Sequence, residues 1–141
     1  HLETSPVYAM PAVRRGVEVR LVVANPVDKW VMGLAQRSYF DELLSAGVRI
    51  HLYRPHFLHA KHVSIDDDLA IVGSVNMDIR SFALNAEVAL LVYDPAVVTV
   101  MRAVQERYFA DAIELTREAW ARRPLWLRVA QNTARLADSL L

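Results

Sequence analysis

The chain has 141 residues, enough for one domain with a buried core, and 54% of them are apolar, which excludes a disordered chain. Sixteen basic and sixteen acidic side chains balance at pH 7, so the chain as a whole has no positive field to attract nucleic acid. The absence of cysteine excludes disulfides and thiolate metal sites, and no uncharged apolar run is long enough to predict a membrane-spanning helix.

The first half of the chain alternates between strand and helix signals. Residues 1–12 begin HLETSPVYAM and are poorly patterned, so we expect an expression scar or a truncated strand there. The β-branched segment 17–24 predicts a strand that ends before Asn25-Pro26. Residues 28–46 have apolar side chains at helical spacing and precede Gly47, a residue typical of helix C-caps, and 48–53 predicts a second strand.

Three short strands and two helices follow. The strands are predicted at 59–65, 69–74 and 86–93, with the three aspartates at 66–68 forming the first turn. Asp94 and Pro95 suit the N-cap and first position of a long helix over about 95–121, and Pro124 separates it from a last helix over about 125–140. The order predicts an α/β fold with a mixed β-sheet flanked by helices in α/β/α layers, a domain over 13–121, and an amphipathic C-terminal helix in 122–141.

Two side chains in the strand 59–65 are spaced for a phosphate. Alternation along a strand points His59 and Lys61 to one face, about 7 Å apart, on either side of one phosphoryl group. The same alternation sends His62 to the opposite face, where we expect a packed or surface histidine. The three histidines of HFLHAKH therefore do not all point to one face of the strand, so they do not predict a shared metal site. No metal or other cofactor is predicted.

The next strand ends in AIVGSVN, which adds small polar groups. Gly73 allows a close backbone approach, and Ser74 and Asn76 share a face and can donate hydrogen bonds to phosphoryl oxygens. Alone, such a segment is typical of an ordinary turn.

Together these residues fit H-x-K-x4-D-x6-G-S-x-N at His59, Lys61, Asp66, Gly73, Ser74 and Asn76. The pattern resembles the HKD motif of the phospholipase D superfamily. The flanking segments RSYFDELLSAGVRIHLYRPHFLHAKH and GSVNMDIRSFALNAEVALLVYDP, with the tail WARRPLW, are similar to the C-terminal half of bacterial cardiolipin synthases. The resemblance covers residues 13 to 141 and departs from the usual pattern at His56 and Ala86.

The resemblance implies phosphatidyl transfer between phosphatidylglycerol molecules through a phosphohistidine, without a metal. One motif histidine attacks phosphorus and that of a second motif protonates the leaving alcohol. Lys61, Ser74 and Asn76 would stabilise the phosphoryl charge. Glu87, in the N-x-E that follows the motif, would hold the histidine ring, because a charge among apolar strand residues needs a partner. Asp66 is expected to fix the turn.

This chain holds one motif, and the implied reaction needs two. A missing N-terminal half or a homodimer mate would supply the second. The alternatives are a homodimeric phosphodiesterase or nuclease, which the neutral net charge disfavours, and an inactive membrane-docking half, which the intact motif disfavours.

The C-terminal helix presents two stripes at helical spacing. The apolar stripe comprises Trp126, Val129, Ala130, Thr133, Leu136, Ala137 and Leu140. Residues 117–135 contain five arginines and one glutamate, which is compatible with a helix that lies on anionic lipid, although packing on its own domain or on a missing half is the favoured interpretation. The resemblance implies a location at the cytoplasmic face of a bacterial cell membrane.

Overall fold

The structure is a computed structural model, and it describes residues 6–25, 37–56, 58–74 and 88–138. Short strands and helices alternate in these ranges. Within those ranges the helices are α1 (Pro6–Arg14), α2 (Phe40–Ala46), α3 (Pro95–Ala110), α4 (Arg117–Ala121) and α5 (Leu125–Asp138). The strands are β1 (Arg20–Ala24), β2 (Arg49–Tyr53), β3 (His62–Ile65), β4 (Leu69–Gly73), β5 (Ala89–Val92) and β6 (Ala112–Leu115).

The first sheet, β1-β2-β6, carries the main core. Strand β2 lies in the centre, parallel to β1 and antiparallel to β6. Alternation turns Ile50 toward α2 and α4, where it is fully buried with Phe40 and Trp120, whose rings lie 5.3 Å apart. On the opposite face, His51 and Tyr53 meet the rings of α3. Helices therefore cover both faces of this sheet.

The second sheet, β3-β4-β5, is an antiparallel meander with one covered face. Ala70 is fully buried on the side of α3, and His62 stacks on Tyr108 at 5.8 Å. Residues that alternate to the other face stay exposed, including Val63 and Ile65. Because α3 contacts strands of both sheets, it is the element that joins them.

Local signals explain where the elements stop and start. Gly47 follows α2 with φ of 98°, a left-handed conformation that a Cβ disfavours, and it caps the helix. The carboxylate of Asp94 accepts hydrogen bonds from the amides of Ala96 and Val97 at 2.9 and 3.1 Å, so α3 begins as predicted. Within the described ranges, no helix has both the length and the apolarity needed to cross a bilayer.

The predicted α/β class, with sheet strands flanked by helices, is confirmed, although the described strands are divided between two sheets. The prediction of one long helix over 95–121 is wrong: α3 ends at Ala110, and β6 and α4 follow. Pairing with β2 explains the difference, because Glu114 of β6 receives two hydrogen bonds of 3.0 Å from Arg49. The helix prediction used only residues that are neighbours in the sequence, whereas Arg49 and Glu114 are far apart in it.

At the start of the chain, residues 6–14 form α1 rather than a truncated strand. Helix α2 confirms the last part of the helix predicted over 28–46, whereas residues 26–36 lie outside the described ranges. Strands β1 to β5 fall within their predicted segments. The domain boundaries at 12 and 121 stay predictions.

Candidate functional site

His59 and Lys61 lie side by side in the segment that leads into β3. The Nζ atom of Lys61 is 2.7 Å from Nε2 of His59, a hydrogen-bond distance. Because an ammonium group only donates, Nε2 is the acceptor, and the proton of this neutral ring is then on Nδ1. Strand β3 begins only at His62, so the two side chains meet at the entrance to the strand and not within it. His59 is exposed and Lys61 is half-buried.

The backbone joins this pair to the end of β4. The amide of Gly73 donates to the carbonyl oxygen of Lys61 at 3.0 Å, which continues the β3–β4 pairing past His62. A Cβ on Gly73 would lie 2.5 Å from the carbonyl oxygen of Val88, closer than side chains come to backbone. Glycine is therefore required by the close approach of β5.

Ser74 fixes the start of β5. Its amide donates to the carbonyl oxygen of Val88 at 3.0 Å, and its Oγ accepts a hydrogen bond from the amide of Val88 at 3.1 Å. Val88 directly follows Glu87 in the sequence, so this double contact anchors the residue next to the predicted orienting carboxylate. Asn76 and Glu87 themselves lie outside the described residues, and their roles stay predictions.

Asp66 lies at the opposite end of the hairpin from His59. It occupies the β3–β4 turn with φ of 50°, and its carbonyl oxygen accepts a hydrogen bond from Arg102 of α3. Arg102 also pairs with Asp67 at 3.1 Å. The four residues of β3 span about 13 Å, so the structure separates Asp66 from the pair at 59 and 61. Its position is that of a turn residue.

The three histidines of HFLHAKH have different partners. Nε2 of His56 lies 3.2 Å from the hydroxyl of Tyr53, and Nδ1 of His62 lies 2.9 Å from the amide of Gln105. Burial against α3 lowers the pKa of His62. No three potential metal ligands converge anywhere in the described ranges. Of the two positions expected for His62, packed or on the surface, the structure shows the packed one.

One polar pair at the edge of the first sheet was not singled out from the sequence. Nη2 of Arg37 donates to Oδ1 of Asn25 at 2.6 Å, directly after β1. The amide of Asn25 donates to the carbonyl oxygen of Tyr53 at 2.8 Å, and burial lowers the pKa of Arg37. An asparagine at the carboxyl end of a parallel strand is the signal that points to this edge, because ligands often bind there in α/β proteins.

The chain matches the protein family described as "Cardiolipin synthase, PLD-like domain" over residues 8–109. It is 39% identical over 121 residues to cardiolipin synthase A of Klebsiella pneumoniae, and 40% identical over 121 residues to that of Escherichia coli O1:K1 / APEC. Each comparison covers 86% of this chain and 25% of the relative. The chain thus spans about a quarter of the length of these relatives.

Two solved structures share the fold. The crystal structure of the phospholipase D family member Nuc from Salmonella typhimurium gives a TM-score of 0.68 at 18% identity, over 80% of this chain and 76% of that one. Phosphatidylserine synthase from Haemophilus influenzae Rd KW20 gives 0.60 at 20% identity, over 92% of this chain and 36% of that one. The fold agrees with the family match, and the chain belongs to the phospholipase D superfamily, among the PLD-like domains of cardiolipin synthases.

Proposed function

We propose that the chain provides one of the two half-sites of a phosphatidyltransferase of the cardiolipin synthase type, acting on phosphatidylglycerol. The contact of Lys61 with Nε2 of His59 carries the proposal, because it puts a cation beside the lone pair of an exposed, neutral imidazole. The names of the relatives, cardiolipin synthase A, support the choice of reaction.

The proposed reaction has two balanced steps. A motif histidine attacks the phosphorus of the first phosphatidylglycerol, and an N–P bond forms as the P–O bond to the glycerol headgroup breaks. The histidine of the second motif gives its proton to the departing glycerol oxygen. It then takes the proton from a hydroxyl of the second phosphatidylglycerol, which attacks phosphorus as the N–P bond breaks. The products are cardiolipin, free glycerol and a regenerated histidine, and His59 can serve in either role.

Lys61 would couple phosphate binding to release of the histidine. In the present arrangement its ammonium group occupies the lone pair of His59 at Nε2, the atom that must attack or carry the proton. A phosphoryl group that enters beside Lys61 offers charged oxygens, which are better acceptors than a neutral imidazole. We expect Nζ to turn toward these oxygens, which frees Nε2 and stabilises the charge of the transition state.

The second motif has two candidate sources. The relatives are more than three times as long as this chain, so another part of a longer polypeptide can carry it. A second copy of the chain can also supply it across a two-fold axis. Equilibrium sedimentation of the 141-residue chain, combined with an assay of its activity, distinguishes the two sources. An active dimer indicates a second copy of the chain, and an inactive monomer indicates another part of a longer polypeptide.

The test is His59→Ala in the longest native polypeptide that contains this chain, with cardiolipin formation from phosphatidylglycerol as the readout. Loss of a group that bonds to phosphorus or transfers its proton should lower the rate by roughly four orders of magnitude. His62→Gln is the matched control. His62 faces Tyr108 and Gln105, so this substitution should leave most of the activity. Cardiolipin formation near the unmodified rate in His59→Ala would refute the proposal.

A further inference from the structure

Helix α5 carries large apolar side chains on its solvent side. Leu125, Trp126 and Val129 are 74%, 66% and 65% exposed. Residues three and four positions apart lie on the same face of a helix, so the three side chains form one patch. A helix that covers its own domain normally turns such a patch inward. Here the apolar patch faces outward.

The inward face of α5 is fixed by polar contacts. Gln131 is 1% exposed, and its Oε1 accepts a hydrogen bond of 3.1 Å from Nε of Arg123. The guanidinium of Arg123 lies 4.1 Å from the centre of the Trp120 ring and forms an ion pair with Asp41 of α2. Rotating α5 to bury the patch would break the contact between Arg123 and Gln131, so the outward orientation of the patch is built into the fold.

Positively charged residues are concentrated in the segment of the sequence that contains this patch. Residues 117–135 contain five arginines and one glutamate, although the chain as a whole has no net charge. Arg117 and Arg122, just before the helix, are exposed. Tryptophan with aliphatic neighbours suits the boundary between headgroups and acyl chains, and nearby arginines are attracted to anionic lipid.

We infer that α5 docks on an anionic lipid surface and inserts Leu125, Trp126 and Val129 at the level of the headgroups. The inference rests on the proposed function for the identity of the lipid, since phosphatidylglycerol is both anionic and the proposed substrate. A second copy of the chain fits the patch less well. A stable interface needs about 800 Å² from each partner, more than three side chains supply, and pairing two copies would bring their arginines together.

The test is sedimentation of the 141-residue chain with vesicles of phosphatidylethanolamine and phosphatidylglycerol, compared with vesicles of phosphatidylcholine. We expect binding to the phosphatidylglycerol vesicles that weakens with added salt. Val129→Ser and Trp126→Ser should each lower the partition coefficient roughly tenfold, because each removes buried apolar area from the lipid contact. Val100→Ser is the matched control: Val100 is 62% exposed on α3, outside the patch, and its loss should change nothing.

Three results would overturn the inference: no binding of the unmodified chain to any vesicle, unchanged binding of the α5 variants, or an equal loss in Val100→Ser. A dimer that depends on Trp126, without vesicle binding, would assign the patch to a second copy instead. His59→Ala separates this inference from the proposed function, because it should abolish transfer and leave vesicle binding intact. Retained transfer with vesicle binding would contradict the proposed function alone.

Discussion

The two sheets of this domain differ in how deeply they are buried and in how close they lie to the candidate site. In β1-β2-β6, helices cover both faces and Ile50 is fully buried. In β3-β4-β5, one face packs on α3 while Ile65, on the other face, is 49% exposed. The candidate site lies at the end of this second sheet. The candidate site thus lies on the less buried of the two sheets.

The largest effect we expect comes from the same substitution made in both sheets. Ile50→Ala removes a fully buried side chain and should lower the free energy of unfolding by about 2–5 kcal/mol. Ile65→Ala removes a half-exposed one and should cost less than about 1 kcal/mol. Urea unfolding followed by circular dichroism measures both. Equal losses would remove the distinction between the two sheets.

Gly73→Ala should produce the second largest loss of stability and a larger loss of activity than Ile50→Ala. The new methyl group collides with the carbonyl oxygen of Val88, which should cost about 1–3 kcal/mol and displace β5 from Ser74 and from the amide of Gly73, which bonds to Lys61. The measurement pairs urea unfolding with cardiolipin formation, at a temperature where both variants are folded. Equal activity per folded molecule in Gly73→Ala and Ile50→Ala would show that the second sheet contributes no more to activity than the first.

The smallest effect concerns pH. Burial is the main cause that lowers the pKa of His51, and attraction to Glu114 partly offsets it. Because the folded state disfavours the protonated ring, the unfolded state binds more protons once the pH falls below about 6.5, and stability decreases there. In His51→Phe the loss of stability between pH 7 and pH 5 should be smaller. Burial also lowers the pKa of His62, so His62→Phe should likewise reduce this loss.

Urea midpoints at the two pH values measure this difference. An identical dependence on pH in the unmodified chain and in His51→Phe would contradict the prediction.

The sequence predicted those parts of the fold whose signals are local. Strands β1 and β2 follow from β-branched runs, and the start of α3 from Asp94-Pro95. Strand β6 could not be predicted in this way, because residues 112–115 form a strand by pairing with β2, which lies far away in the sequence. The orientation of α5 shows the same limit: periodicity defines two stripes but not which one faces inward.

The candidate site was predictable to the extent that it lies within one hairpin. His59 and Lys61 contact each other, and the β3–β4 pairing, which strand signals and turn residues define, joins Lys61 to Gly73, the residue before Ser74. The contact of Arg37 with Asn25 depends instead on where the segment before α2 packs. The roles of Asn76 and Glu87 remain predictions.

The hydrogen bond between the amide of Gly73 and the carbonyl oxygen of Lys61 also bears on the order of folding. Closing a hairpin takes microseconds, because its partners are near in sequence. The first sheet needs residues 20, 49 and 115 to meet, so it is complete only after β6, the last of the described strands along the chain. We therefore expect the motif hairpin to form early on a nascent chain, and the stability that holds it in place to arrive only when β6 docks on β2.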